Sequence, residues 1–113
     1  MTNTTDKEKS SVPTLNSKQK KFLKGLGHSL SPVVAVGKDG LPEKIVTATK
    51  LELSRHELIK IKVGKSSPVS KQETAELLSV KSEAALVQII GKTILLYKKN
   101  PELDKDKQIR LPK

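Results

Sequence analysis

Residues 32–41 read Pro32-Val33-Val34-Ala35-Val36-Gly37-Lys38-Asp39-Gly40-Leu41. The apolar, largely β-branched run Val33 to Val36 stops at Gly37, and helical spacing opens at Pro42, so the segment predicts a strand, a tight loop and a helix start. The loop is a Gly-x-x-Gly, Gly37 to Gly40. Two glycines permit backbone angles closed to other residues, and the next helix turns unpaired N–H groups toward whatever lies against the loop. Lys38 supplies a cation at the tip beside Asp39, and Pro42 suits a first helical position because its missing N–H costs nothing there. A phosphate backbone could use all of this. An ordinary strand-to-helix turn can share the spacing, so the surrounding chain decides what the motif means.

Downstream, Ile45, Val46, Thr49 and Leu53 form an amphipathic stripe with Lys44 pointing away, in a helix ending around Ser54 to His56. Leu58 to Val63 then alternates, with Ile59, Ile61 and Val63 on one side and Lys60 and Lys62 on the other, which predicts a strand with a wet, positive face. After the loop Gly64 to Pro68, Ser70-Lys71-Gln72-Glu73 reads as a capping box for a third helix reaching about Glu83, with Ala75, Leu78 and Ser82 as its stripe, reinforced by Leu77. Ala85 to Ile90 and Thr93 to Lys98 predict two strands. Only Gly91-Lys92 separates them, and glycine at the first central position is what a type II′ hairpin asks for, placing Lys92 at an exposed tip.

Upstream, Ser17 is a candidate N-cap, and Phe22, Leu23, Leu26 and Leu30 recur at helical spacing. Lys21 and Lys24 fall opposite that stripe and Lys18 and Lys20 on its flanks. Gly25 and Gly27 should help end the helix near His28. Residues 1–16 are polar and without periodicity and are expected to be a disordered extension to a domain over 17–99. In the tail, 100–113, the alternation Gln108-Ile109-Arg110-Leu111 could pair as a short edge strand. The order is helix, strand, helix, strand, helix, strand, strand. Two strand–helix–strand units and a final hairpin predict an α/β fold with a mixed four-stranded sheet.

The charge is uneven. The chain of 113 residues carries a formal +10 from 22 bases and 12 acids. Residues 17–65 hold eleven bases against four acids, a balance of +7, whereas each tail is close to neutral. A basic face built by the first half of the domain is therefore expected, facing a polyanion. The absence of cysteine removes disulfides, thiolate metal sites and zinc fingers. No apolar run approaches the ~20 residues of a membrane span, so a soluble, cytoplasmic protein is expected. Phe22, assigned to the buried side of its helix, and Tyr97 are the only aromatic residues. Recognition by base stacking on strands is therefore not expected, which leaves backbone and shape.

Three blocks match a known family: Lys20-Lys21-Phe22-Leu23-Lys24-Gly25-Leu26-Gly27-His28 running into Pro32 to Leu41; His56-Glu57-Leu58-Ile59-Lys60-Ile61-Lys62-Val63; and Gln88-Ile89-Ile90-Gly91-Lys92-Thr93-Ile94-Leu95-Leu96-Tyr97-Lys98. In order and extent they resemble the CRM domain (chloroplast RNA splicing and ribosome maturation), especially its stand-alone bacterial YhbY-like members. The resemblance implies an RNA-binding domain similar in fold to the C-terminal domain of translation initiation factor three, with a Gly-x-x-Gly loop like that of KH domains. It maps the loop onto Gly37, Lys38, Asp39 and Gly40. Bacterial members are linked to precursors of the large ribosomal subunit, and plant relatives to group II intron splicing. Two departures are the longer extension, residues 1–16, and Lys98 where the family carries arginine.

Combined, these readings predict a non-catalytic RNA-binding monomer that takes no cofactor and no metal, with Lys21, Lys24, Lys60, Lys62 and Lys92 extending the surface around the loop. Three other classes compete, the weakest being a membrane-surface role, for which no helix combines a large apolar face with a basic one. An enzyme would have to use His28 or His56, which lie near Ser29, Ser54 and Glu57, but no paired carboxylates or metal-spaced ligands accompany them. A protein-binding assembly factor would use the charge only for steering.

Overall fold

The computed structural model describes residues 12–113. The elements are α1 (Ser17–Gly27), β1 (Pro32–Val36), α2 (Glu43–His56), β2 (Leu58–Val63), α3 (Lys71–Ser82), β3 (Ala85–Ile90) and β4 (Thr93–Tyr97). The strands form one mixed sheet in the order β1-β2-β4-β3. β1 and β2 are parallel, as their α2 crossover requires, and β4 runs antiparallel to both β2 and β3. The expected order and sheet are therefore the observed ones. In the hairpin Ile90 pairs with Thr93, and only Gly91 of the two turn residues has positive φ (57°), as a II′ turn demands.

The period-2 alternation sorts the strands onto two cores. Val34, Val36, Ile59, Ile61, Val63, Ile94 and Leu96 face α2 and α3, whose Val46, Leu53, Ala75 and Leu78 complete the larger cluster. On the other face Leu58, Leu95, Tyr97 and Val87 pack against Leu23 of α1. Each fully buried leucine here contributes about 1.5–3 kcal/mol relative to exposure. α1 sits unusually close to the sheet, because a Cβ at Gly27 would lie 2.6 Å from Leu95 Cδ2. That glycine is a packing residue as well as the last of its helix.

Several local expectations shift. The N-cap of α1 is Asn16, not Ser17: the Asn16 side chain accepts from Gln19 N–H at 2.8 Å, and the Gln19 side chain accepts from Asn16 N–H at 3.0 Å. Pro42 is the N-cap of α2 rather than its first helical residue. Ser70 caps α3 by accepting from Glu73 N–H at 3.1 Å. On α1 only Leu23 and Gly27 are buried; Phe22, Leu26 and Leu30 are exposed, as is Leu77 on α3. The α1 stripe is thus wider than the sheet surface it covers.

Of the expected disordered extension, 1–11 lie outside the described residues. Residues 12–16 are placed: Val12 to Leu15 line a groove with Lys20, Val80 and Leu86, and Leu15 packs on the smaller core.

The edge strand expected at Gln108–Leu111 does not form. Instead the tail folds over the α1 face, with Ile109 and Leu111 packed on the smaller core. Gln19 Nε2 donates to Pro112 O at 3.0 Å, and the Glu57 carboxylate accepts from Asn100 N–H and Ile109 N–H, both at 2.6 Å. Glu57 is fully buried and, at φ 63°, turns the chain from α2 into β2.

Candidate nucleic-acid interface

β1 delivers the Gly-x-x-Gly loop at one end of the sheet, and three hydrogen bonds bring two further segments to it. Gly64 N–H donates to Val36 O and Val63 N–H to Lys92 O, both at 2.8 Å, while Lys71 Nζ donates to Gly91 O at 2.6 Å. The loop, the 64–70 connection and the hairpin tip thereby share one end, with exposed Lys38, Lys62, Lys65, Lys71 and Lys92. Lys65 and Lys71 were not singled out from the sequence. The available hint was Lys71 itself, a cation in the first turn of a helix, where the dipole disfavours it.

Within the loop the glycines differ. Gly40 N–H closes a turn onto Gly37 O at 3.0 Å. Gly40 has φ 70°, and its missing Cβ would sit 3.4 Å from Pro68 Cγ, so the fold itself requires glycine there. Gly37 needs no left-handed conformation, and nothing lies within 4 Å of its would-be Cβ. The expectation that both glycines serve the backbone angle thus holds for Gly40 alone; at Gly37 the missing side chain leaves open surface. Lys38 and Asp39 are exposed at the tip. Beyond it, α2 begins without a side-chain cap, which leaves first-turn N–H groups for water or an anion, with Glu43 as the one acid in that turn.

The remaining lysines are arranged in two ways. Lys62 pairs with Ala35 and Thr93 on the α1 side of the sheet and is exposed. Lys60 is half-buried, since its register partner Leu95 is the residue against which Gly27 packs. The positive strand face is therefore open at the loop end and covered by α1 at the other. Lys21 and Lys24 are exposed on α1, across the sheet from α2, and no hydrogen bond links them to the loop.

Lys98, the position that departs from the family's arginine, donates from Nζ to Ser82 O at 3.2 Å and lies 3.7 Å from Glu83. It ties β4 to the end of α3.

The arrangement offers no catalytic constellation among the described residues. Ser54 Oγ donates to Leu51 O at 2.6 Å, the His56 Nε2 partner is Glu52 at 3.4 Å, and Glu57 is buried under the tail. No group of three or more His, Cys, Asp or Glu that could hold a metal occurs among those residues. No helix among them is long and apolar enough to cross a membrane. Tyr97, on the smaller core, has its phenol held above the usual range by burial and then by the Glu57 charge.

Helix-backed strands that converge on a Gly-x-x-Gly loop and five exposed lysines define a small basic α/β domain with one positively charged end. The chain belongs to the CRS1 / YhbY (CRM) domain family, whose model matches residues 15–98. It is 41% identical over 102 residues to a Haemophilus influenzae protein named "RNA-binding protein", covering 90% of this chain and 99% of the relative. It is also 41% identical over 98 residues to the "Probable RNA-binding protein YqeI" of Bacillus subtilis, covering 87% and 99%. A Staphylococcus aureus protein whose solution structure is described as that of a candidate RNA-binding protein superposes with a TM-score of 0.72. It shares 35% identity, over 88% of this chain and all of that one.

Proposed function

We propose that this protein is a non-catalytic RNA-binding factor that engages rRNA in precursors of the large ribosomal subunit, as a cytoplasmic monomer. The observation that carries the reading is the convergence of the Gly37–Gly40 loop with Lys38, Lys62, Lys65, Lys71 and Lys92 at one sheet end. Gly37, open on its outer side, lets a phosphate backbone approach the main chain. Lys38 then meets phosphate, and Asp39 limits how deeply an anion can enter. The relatives' names support RNA as the partner, and the family resemblance supports the large-subunit assignment. Lys21, Lys24 and Lys60 extend the field along α1.

Phosphate contacts position an RNA without reading its sequence. Five neutralised phosphates would give log K a slope of about −3.5 against log salt for single-stranded RNA. Lys38→Glu should weaken binding to all sequences alike and make that slope shallower; a slope near zero in the wild type would refute the electrostatic account.

The deciding experiment is in-cell crosslinking with sequencing of the recovered RNA, comparing wild type with Gly37→Asp, a substitution the backbone accommodates. Large-subunit rRNA reads that collapse in the variant support the reading. An unchanged profile removes the loop from the interface, and binding that survives RNase would point to a protein partner.

A further inference from the structure

One flank of α1 serves neither core. Phe22 and Leu26, one turn apart, are 40% and 41% exposed, and Leu30 and Val33 continue the apolar surface at 36% and 45%. Val34 and Val36 belong to the larger core, so Val33, of opposite parity, lies on the α1 side of the sheet. The surface runs into a groove of about 440 Å³ lined by Leu26, Leu30, Val33 and Ile109, with Lys60 and His56 among its polar members. Gly25, three residues after Phe22 and so beside it on the helix, has nothing within 4 Å of its would-be Cβ. A glycine there weakens the helix and satisfies no internal contact. What it does is keep the surface next to the ring flat.

Charge indicates what this flank meets. α1 holds Lys18, Lys20, Lys21 and Lys24 and no acid. Lys18 faces the positive end of the helix dipole, and Lys18/Lys21, Lys21/Lys24 and Lys20/Lys24 are like-charge neighbours at helical spacing. Only Lys24, in the last turn, suits the helix dipole; the like-charge pairs do not favour the helix. Of these lysines, Lys18 lies one turn from Phe22, while Lys20 and Lys24 fall on the far side of α1, and Lys60 adds a cation in the groove. A cation beside an exposed ring suits a ligand with both anionic groups and planar apolar faces, and unpaired nucleotides carry both. A peptide partner for the same surface would need acidic side chains and would leave the flat ground at Gly25 without use.

We propose that Phe22, with Gly25, Leu26 and the adjoining groove, seats unpaired nucleobases, so that the bound RNA is single-stranded where it crosses α1. This rests on the RNA-binding reading above and adds base stacking to it.

The test uses the full chain and two labelled oligomers of about ten units. One is oligouridylate; the other has the same sugar-phosphate backbone without bases. Affinities are measured by fluorescence anisotropy for wild type, Phe22→Ala and Phe22→Leu, with circular dichroism to confirm the fold. Wild type should bind oligouridylate roughly tenfold more tightly than the abasic strand. Both variants should bring oligouridylate down to the abasic level and leave abasic binding and its salt slope unchanged. Equal wild-type affinity for the two oligomers, or a ratio untouched by either variant, overturns the base seat and leaves the backbone reading standing; in that case the flank is a protein-docking face or plain surface. Failure of wild type to bind either oligomer overturns both readings.

Discussion

Replacing Glu57 by alanine should detach the C-terminal tail. The carboxylate is fully buried and accepts two backbone N–H groups at 2.6 Å, from Asn100 and Ile109. Deleting it leaves both donors without an acceptor, at about 1–3 kcal/mol each. The expected loss is about 2–6 kcal/mol, a large share of the 5–15 kcal/mol typical of such a domain. Backbone conformation adds an independent signature. Glu57 sits at φ 63°, which costs a residue with a Cβ about 1–3 kcal/mol, so Glu57→Gly should be less destabilised than Glu57→Ala by roughly 1 kcal/mol, reversing the usual order of those two residues. Urea denaturation gives the stabilities through the midpoint and slope. Amide exchange at Asn100 and Ile109 reports the tail directly. A loss below about 1 kcal/mol for Glu57→Ala, with both amides still protected, would refute the reasoning.

The two loop glycines should separate stability from binding: Gly40→Ala costs about 1 kcal/mol or more, whereas Gly37→Ala leaves the melting temperature unchanged or raised yet weakens RNA binding. A Gly37→Ala variant with unchanged affinity would remove close backbone approach from the account. Gly27→Ala should cost about 1–3 kcal/mol, because its Cβ would overlap Leu95 on the smaller core; thermal unfolding showing no change would mean α1 shifts freely. Tyr97, whose folded pKa is raised, binds its proton more tightly in the native state. Its contribution is present below the unfolded value of 10 and is lost as pH rises above that point toward the folded pKa. Tyr97→Phe should therefore flatten the alkaline side of the stability profile, and an identical slope in both proteins would contradict that.

The strands, the hairpin turn and their order were legible because period-2 alternation and the Gly91-Lys92 pair are local signals. Helical spacing shows which α1 residues share a side and not how much surface awaits them, so Phe22 and Leu26 were placed in a core that has room only for Leu23 and Gly27. The cap at Asn16 was readable from Gln19 three positions on, since a capping box asks for glutamate or glutamine there and Ser17 is followed at that spacing by Lys20. The tail could not be read: the alternation at Gln108–Leu111 fits a strand, but its backbone partner is a glutamate far back in the chain. Lys65 and Lys71 were missed for the same reason, as only tertiary contacts place them beside the loop.

The sheet order also governs how the chain comes together as it is made. β2, an inner strand of the finished sheet, pairs with β4, the last strand to be synthesised, so the β1–α2–β2 unit must wait with one side of β2 unpaired. Non-local pairing of this kind slows folding and leaves a strand edge available to other chains in the interval. Leu58 to Val63 is otherwise a sticky segment, and Lys60 and Lys62 interrupt it with charge at alternate positions. Charge at alternate positions opposes pairing between nascent copies before β4 arrives, a demand on Lys60 and Lys62 separate from any contact they make in the finished domain.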